Sequence, residues 1–190
     1  MNNDIYTFWK NNSLRNIKPS RGGEFPEGWD VVQFFKDLYT EEEYGKIIDV
    51  GCGYGRLAKA FNPLNYLGID FSKEAIAKAK ELNPDHMFSV LENSTEYPVS
   101  NTKLLYTVLL HQTDEDIDDI VKSLCKTTDM IIVAEICGRS WRRTGNPPVF
   151  NREVGDYEKL FAKHGNRVLE HYTEPYKAYK DTNIDIMVFL

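Results

Sequence analysis

The sequence predicts an α/β fold, a three-layer sandwich with helices on both faces of a mostly parallel sheet. Three observations carry this. Apolar runs alternate with amphipathic stretches along most of the chain, the order that builds β-α units. The strand candidates are nearly continuous in apolar residues, as strands buried on both faces are. A length of 190 residues suits one core, and no repeat, low-complexity tract or linker divides the chain.

The elements follow in order. Residues 1–45 precede the sheet and contain one predicted helix, 29–38; the core is 46–190. Residues 46–50 read as a buried strand halted by Gly51. A short helix is predicted over 56–61 and a second strand over 66–70. The segment 73–82 carries Ala75, Ile76 and Ala79 at helical spacing, with Ser72 as its N-cap. A weaker third strand covers 87–91, and a fourth covers 104–110. Ile117, Ile120, Val121 and Leu124 share one face of a helix over 114–126. A fifth strand spans 130–134. A helix over 157–163 stops before Gly165. Segments 167–172 and 184–190 close the chain as two more strands.

Composition narrows the function. The net charge of −6 argues against a nucleic-acid groove, because binding a phosphate backbone requires a field of Lys and Arg. No run is long and apolar enough to cross a membrane. Met1-Asn2-Asn3-Asp4 lacks the basic and apolar blocks of a signal peptide. Cys52, Cys125 and Cys137 lie far apart with no CxxC pair, which fits a reducing compartment and gives no zinc signature. A cytoplasmic protein is expected, working as a monomer or homodimer.

In such sheets ligands bind at the carboxyl ends of the strands. The first loop there is Asp49-Val50-Gly51-Cys52-Gly53-Tyr54-Gly55-Arg56. Alternate glycines let the backbone turn sharply and approach a ligand closely. Asp70, at the end of the second strand, can accept hydrogen bonds from both hydroxyls of a ribose. A dinucleotide fingerprint needs a small residue where Arg56 stands, so the spacing argues against NAD or FAD. Asp49 fits poorly beside a pyrophosphate and well beside a cofactor carrying an amine and a sulfonium.

Ile48-Asp49-Val50-Gly51-Cys52-Gly53-Tyr54-Gly55-Arg56-Leu57 resembles motif I of the class I, Rossmann-like, S-adenosylmethionine-dependent methyltransferases. Leu67-Gly68-Ile69-Asp70-Phe71-Ser72 resembles their second motif. Weaker likenesses continue through 88–98, 108–111 and 150–165. The resemblance implies a seven-stranded sheet whose last strand is antiparallel and inserted between its neighbours. It implies that Gly51, Cys52 and Gly53, with Asp49, hold the methionine part of S-adenosylmethionine. Asp70 would hold the ribose and Phe71 the adenine face, with Glu92, Asn93 and Ser94 near the adenine and Leu109 also against the cofactor. It implies a leader that folds over the cofactor as a lid. Tyr6, Phe8, Trp9 and Trp29 would exclude water there, and Arg15 or Arg21 would pair with the cofactor carboxylate. The same aromatics equally fit core contacts of the leader helix.

On the acceptor side, His111 at the end of the fourth strand is the candidate base, since imidazole takes up a proton near neutral pH. The alternative is a histidine that only packs at the start of the next loop. After the fifth strand, Arg139, Trp141, Arg142 and Arg143, with Arg152 further on, suit an acceptor bearing phosphate or carboxylate and a flat face. They equally fit a solvated loop. Asn146-Pro147-Pro148-Val149 partly matches the motif of base-amine methyltransferases, but it follows the wrong strand and lacks the aromatic. His111 and Glu135 at the strand ends do not make a metal site. The expected activity is methylation of a small molecule, at oxygen of a sugar, sugar phosphate, organic acid or secondary metabolite. The rivals are a nucleic-acid or protein methyltransferase and a non-catalytic S-adenosylmethionine-binding partner subunit.

Overall fold

A computed structural model describes residues 7–9, 31–92, 96–138, 149–176 and 182–190. Seven strands form one sheet: β1 Ile47–Val50, β2 Tyr66–Asp70, β3 Met87–Val90, β4 Ser100–Tyr106, β5 Thr128–Glu135, β6 Val168–Pro175 and β7 Asn183–Phe189. Their order is β3-β2-β1-β4-β5-β7-β6. The pairs from β3 through β5 are parallel. β7 is antiparallel and inserted between β5 and β6, as the resemblance implies. Among the described residues from 31 onward the helices are α1 Val31–Leu38, α2 Glu41–Tyr44, α3 Lys73–Leu82, α4 Ile117–Cys125 and α5 Val154–Ala162.

Side chains alternate across a strand, so the central strands feed two cores. On one face, Val31 and Phe35 of α1 and Ile76 and Ala79 of α3 pack on Ile47, Leu104, Ile132 and Ile186. On the other, Ile120 and Leu124 of α4 and Tyr157 and Phe161 of α5 cover Ile48, Leu105, Val133 and Phe189. This double burial explains the near-continuous apolar runs of β4 and β5. α3 occupies the predicted span, and Ser72 Oγ accepts from the Ala75 amide at 3.2 Å.

Three features depart from the sequence reading. The helix expected over 56–61 is a single 3-10 turn, Ala58–Ala60. Phe61 returns to extended backbone and stacks on Tyr66 at 5.6 Å, and Asn62 precedes Pro63, which disfavours helix there. The fourth strand begins and ends four residues earlier than expected, at Ser100 and Tyr106. The short helix α2 was not anticipated, although Thr40 accepts from the Glu43 amide at 3.3 Å and Thr-x-x-Glu is a start signal.

Gly68 fixes how closely β2 and β3 pack. A Cβ there would lie 2.5 Å from Phe88 Cδ1 and 2.9 Å from Cys52 Sγ. Gly68→Ala therefore overpacks the core under the glycine loop. Urea denaturation should show a loss of about 1–3 kcal/mol; unchanged stability would mean Phe88 moves freely.

Candidate active site

The chain runs outward from β1 through β2 to β3, then returns to the other side of β1 as β4. This reversal leaves a crevice at the carboxyl ends of β1 and β4, the place where open α/β sheets bind ligands. The glycine loop forms one wall. Gly51, at φ +72°, donates to the Ile69 carbonyl at 2.8 Å, and a Cβ on it would strike Val108 Cγ2 at 2.8 Å. Gly53, at φ +55°, has no atom of the described residues within 4 Å of the position a Cβ would take. The backbone there borders open space.

Asp70 closes the wall. Its Oδ2 accepts from the Gly53 amide at 3.0 Å and its Oδ1 from the Ser72 amide at 2.8 Å. Each carboxylate oxygen can accept more than one bond, so both remain competent toward a ligand hydroxyl. Burial raises the Asp70 pKa, and the two amide bonds oppose the rise. Asp49 is buried in β1 and accepts from the Tyr66 hydroxyl at 2.7 Å. Burial pushes its carboxyl up to about 6, against the Tyr66 bond and the Arg56 charge. Cys52 is buried beside them, and burial raises its thiol pKa well above the usual value.

Of the other expected cofactor contacts, Phe71 follows Asp70 and is half-buried, while Glu92 is exposed. Leu109 is fully buried in the core under α4 and α5. Asn93 and Ser94 lie outside the described residues, as do Arg139, Trp141, Arg142 and Arg143. The same holds for Tyr6, Arg15, Arg21, Trp29 and the Asn146-Pro147-Pro148 stretch.

The tip of β4 forms the other wall. Thr107 has φ +57°, an outlier for a β-branched residue that costs about 1–3 kcal/mol. Its amide donates to the Ala134 carbonyl at 2.8 Å. The next two amides, of Val108 and Leu109, donate to Glu135 Oε1 at 2.9 and 2.6 Å. Glu135 is fully buried, and its Oε2 has no hydrogen-bond partner among the described residues. Burial pushes its carboxyl up to about 8, against the amide bonds and the Arg152 charge.

His111 therefore does not end a strand. It ends the 3-10 turn Leu109–His111, five positions beyond β4. The capture of the Val108 and Leu109 amides by Glu135 ends the ladder earlier than the apolar run suggests. The His111 ring is half-buried and lies 4.9 Å from that of Trp9, with Phe8 edge-on to Trp9 at 5.3 Å. Residues 7–9 of the leader thus sit on the β4 loop. Arg152 is buried beneath it. It donates to the carbonyls of Leu109, Phe150 and Gln112 at 3.2, 3.3 and 2.9 Å, and to Asp114 at 2.6 Å. Among the described residues it clamps the loop that carries His111, a role its sequence position did not signal.

Residues 47–129 match the family described as a methyltransferase domain. No curated protein sequence matches the chain. Among solved structures, the fold resembles the mitomycin 7-O-methyltransferase MmcR, with TM-score 0.64, 16% identity, and 83% of this chain covered. The chain spans about half of that protein's length, 53%. It also resembles the magnesium protoporphyrin IX methyltransferase ChlM from Synechocystis with bound S-adenosylhomocysteine, with TM-score 0.65 and 15% identity over 98% of this chain and 84% of that one. The [4+2]-cyclase SpnF is similar in fold, with TM-score 0.66 and 14% identity over 98% and 92%. Residues 47–129 thus carry the match to a methyltransferase domain, in a fold shared with solved methyltransferases, one of them holding S-adenosylhomocysteine. The residues fit that group: the described residues leave the Gly53 backbone uncovered for close approach, and Asp70 offers a fixed carboxylate for two vicinal hydroxyls.

Two outcomes are expected. Asp70→Ala should weaken S-adenosylhomocysteine binding by roughly 1.5–3 kcal/mol in calorimetry, the loss of hydrogen bonds to a charged group. An unchanged affinity would place the ribose elsewhere. Glu135 should make stability fall as pH rises. A carboxyl whose folded pKa is raised from 4.5 to about 8 stabilises the fold fully below about 4.5 and loses that contribution up to about 8. Glu135→Gln keeps an acceptor oxygen and cannot ionise, so its stability relative to the parent should improve steadily across that window. A pH-independent difference would show that Glu135 titrates normally.

Proposed function

We propose that the chain transfers a methyl group to an oxygen of a small-molecule acceptor that carries an anionic group, with His111 as the general base. When bound, the cofactor supplies an electrophilic methyl on a sulfonium. The protein aligns the acceptor hydroxyl, excludes water, and removes the hydroxyl proton as the oxygen–carbon bond forms and the sulfur–carbon bond breaks. The observation that carries this reading is the contact of His111 with Trp9. An imidazole on the β4 loop, covered by an aromatic residue of the leader, is a base in a site from which water can be excluded. Two of the similar structures are named for small-molecule methylation, of mitomycin and of magnesium protoporphyrin IX. The acidic balance and the three isolated cysteines fit a cytoplasmic enzyme, monomer or homodimer, acting on metabolites. Arg139, Arg142 and Arg143 would contact the acceptor's anionic group.

The test starts with a panel of hydroxy acids and sugar phosphates, with mass spectrometry of O-methyl products. On the acceptor found, His111→Asn should lower kcat about 100-fold or more, in line with general-base contributions. S-adenosylhomocysteine affinity should be unchanged. Near-parental kcat in His111→Asn would reduce His111 to a support of the loop.

A further inference from the structure

One cation at the crevice has a role that neither the family assignment nor the acceptor reading gives it. Arg56 follows the glycine loop, yet its guanidinium reaches across the switch point to the tip of β4. Its carbon lies 4.3 Å from the centroid of the Tyr106 ring. One terminal nitrogen, Nη2, donates to the Tyr106 carbonyl at 3.2 Å and to Thr107 Oγ1 at 2.9 Å. Thr107 presents that oxygen from the left-handed conformation described above. Tyr106 itself is only 5% exposed, so the guanidinium lies on an otherwise covered ring.

The remaining donors of Arg56, Nε and Nη1, have no hydrogen-bond partner among the described residues, and no carboxylate forms a salt bridge with it there. Asp49 feels its charge but is buried and engaged by the Tyr66 hydroxyl. Arg152 is the contrast at the same edge: three carbonyls and a carboxylate engage its guanidinium. Arg56 is exposed and is held in place by stacking and by two bonds from a single nitrogen, while the rest of its fork is unengaged among the described residues. A planar cation fixed in advance loses little freedom when an oxyanion arrives, and guanidinium geometry suits carboxylate and phosphate.

We infer that Arg56 is a preset anion-holding arm at the β1–β4 switch point, which takes a carboxylate or phosphate of the ligand bound there. The inference rests on the crevice being the cofactor and acceptor site. Two sources offer this chemistry, the methionine carboxylate of the cofactor and the anionic group of the acceptor.

Calorimetry on Arg56→Gln and Arg56→Lys separates them. Arg56→Gln keeps a donor for Thr107 and loses the charge. The probes are S-adenosylhomocysteine, 5′-methylthioadenosine, which lacks the amino-acid part, and inorganic phosphate added to the S-adenosylhomocysteine complex. If the cofactor carboxylate is the source, Arg56→Gln weakens S-adenosylhomocysteine at least about 10-fold, leaves 5′-methylthioadenosine unchanged, and Arg56→Lys restores part of the loss. If the acceptor is the source, S-adenosylhomocysteine binds as in the parent, and phosphate binds the parent complex but not that of Arg56→Gln. Three outcomes overturn the inference. Parental binding of both S-adenosylhomocysteine and phosphate by Arg56→Gln shows that the charge holds nothing. Equal weakening of S-adenosylhomocysteine and 5′-methylthioadenosine shows that Arg56 only supports the loop. Failure of the parent to bind either adenosyl compound overturns the cofactor assignment, and this inference with it.

Discussion

At the carboxyl end of β5 the chain buries a carboxyl group, and the shape of the neighbouring strand's tip follows from how that group is satisfied. A buried carboxyl without partners is costly. Glu135 finds its partners in the amides of Val108 and Leu109, which would otherwise lie beyond the last pairing of β4 with β5, at Tyr106 and Ala134. Taking those amides turns the chain out of the sheet and into the 3-10 turn that ends at His111. From the opposite side, Arg56 grips the last carbonyl of β4 and the Thr107 hydroxyl. The tip is held between an acid on β5 and a base from the β1 loop, and the crevice is shaped before any ligand enters.

The other wall obeys a similar logic. The parallel register of β1 and β2 places Val50 opposite Ile69, so the glycine loop and the end of β2 emerge side by side. Asp70 then bonds an amide of its own loop, Ser72, and one of the glycine loop, Gly53. This ties together two loops 17 positions apart. Open space at Gly53 is a consequence of the missing side chain, and a β-carbon on Gly51 would collide with Val108. The glycines thus act in two ways. One lets the walls approach each other, and the other leaves the room between them.

Much of this was legible in the sequence because it is local. Ser72, Ala75, Ile76 and Ala79 encode α3 by a cap and a spacing, and Gly51 to Asp70 encode the glycine-loop wall of the crevice by the strand, loop and acid order. The inserted β7 came from the family resemblance rather than from periodicity. What the sequence hid is non-local. The apolar run through Leu109 and Leu110 reads as strand, but these residues are buried in the core after the strand has ended, and only the distant Glu135 explains the change. Arg152 reads as a free cation until the carbonyls of Leu109, Phe150 and Gln112 come within its reach. Arg56 reads as a residue too large for a dinucleotide fingerprint. Its stacking on Tyr106 depends on a strand that lies next to β1 in space and some 50 residues away in sequence.

A fold of this kind does not fix a reaction: a [4+2]-cyclase shares it with methyltransferases. In the function proposed above, activity depends on how the β4 tip presents His111 and on what Glu135 does for that tip. Hydrogen exchange at the Val108 and Leu109 amides tests this most directly. If Glu135 holds the tip, both amides in the parent exchange as slowly as those of the β5 core, such as Ile132. In Glu135→Ala they should exchange at least about 10-fold faster through local opening while Ile132 keeps its protection, as expected when each lost bond is worth at least 1.4 kcal/mol. Unchanged protection of Val108 and Leu109 in Glu135→Ala would contradict the account, because the tip would then owe its shape to something other than the buried carboxyl group.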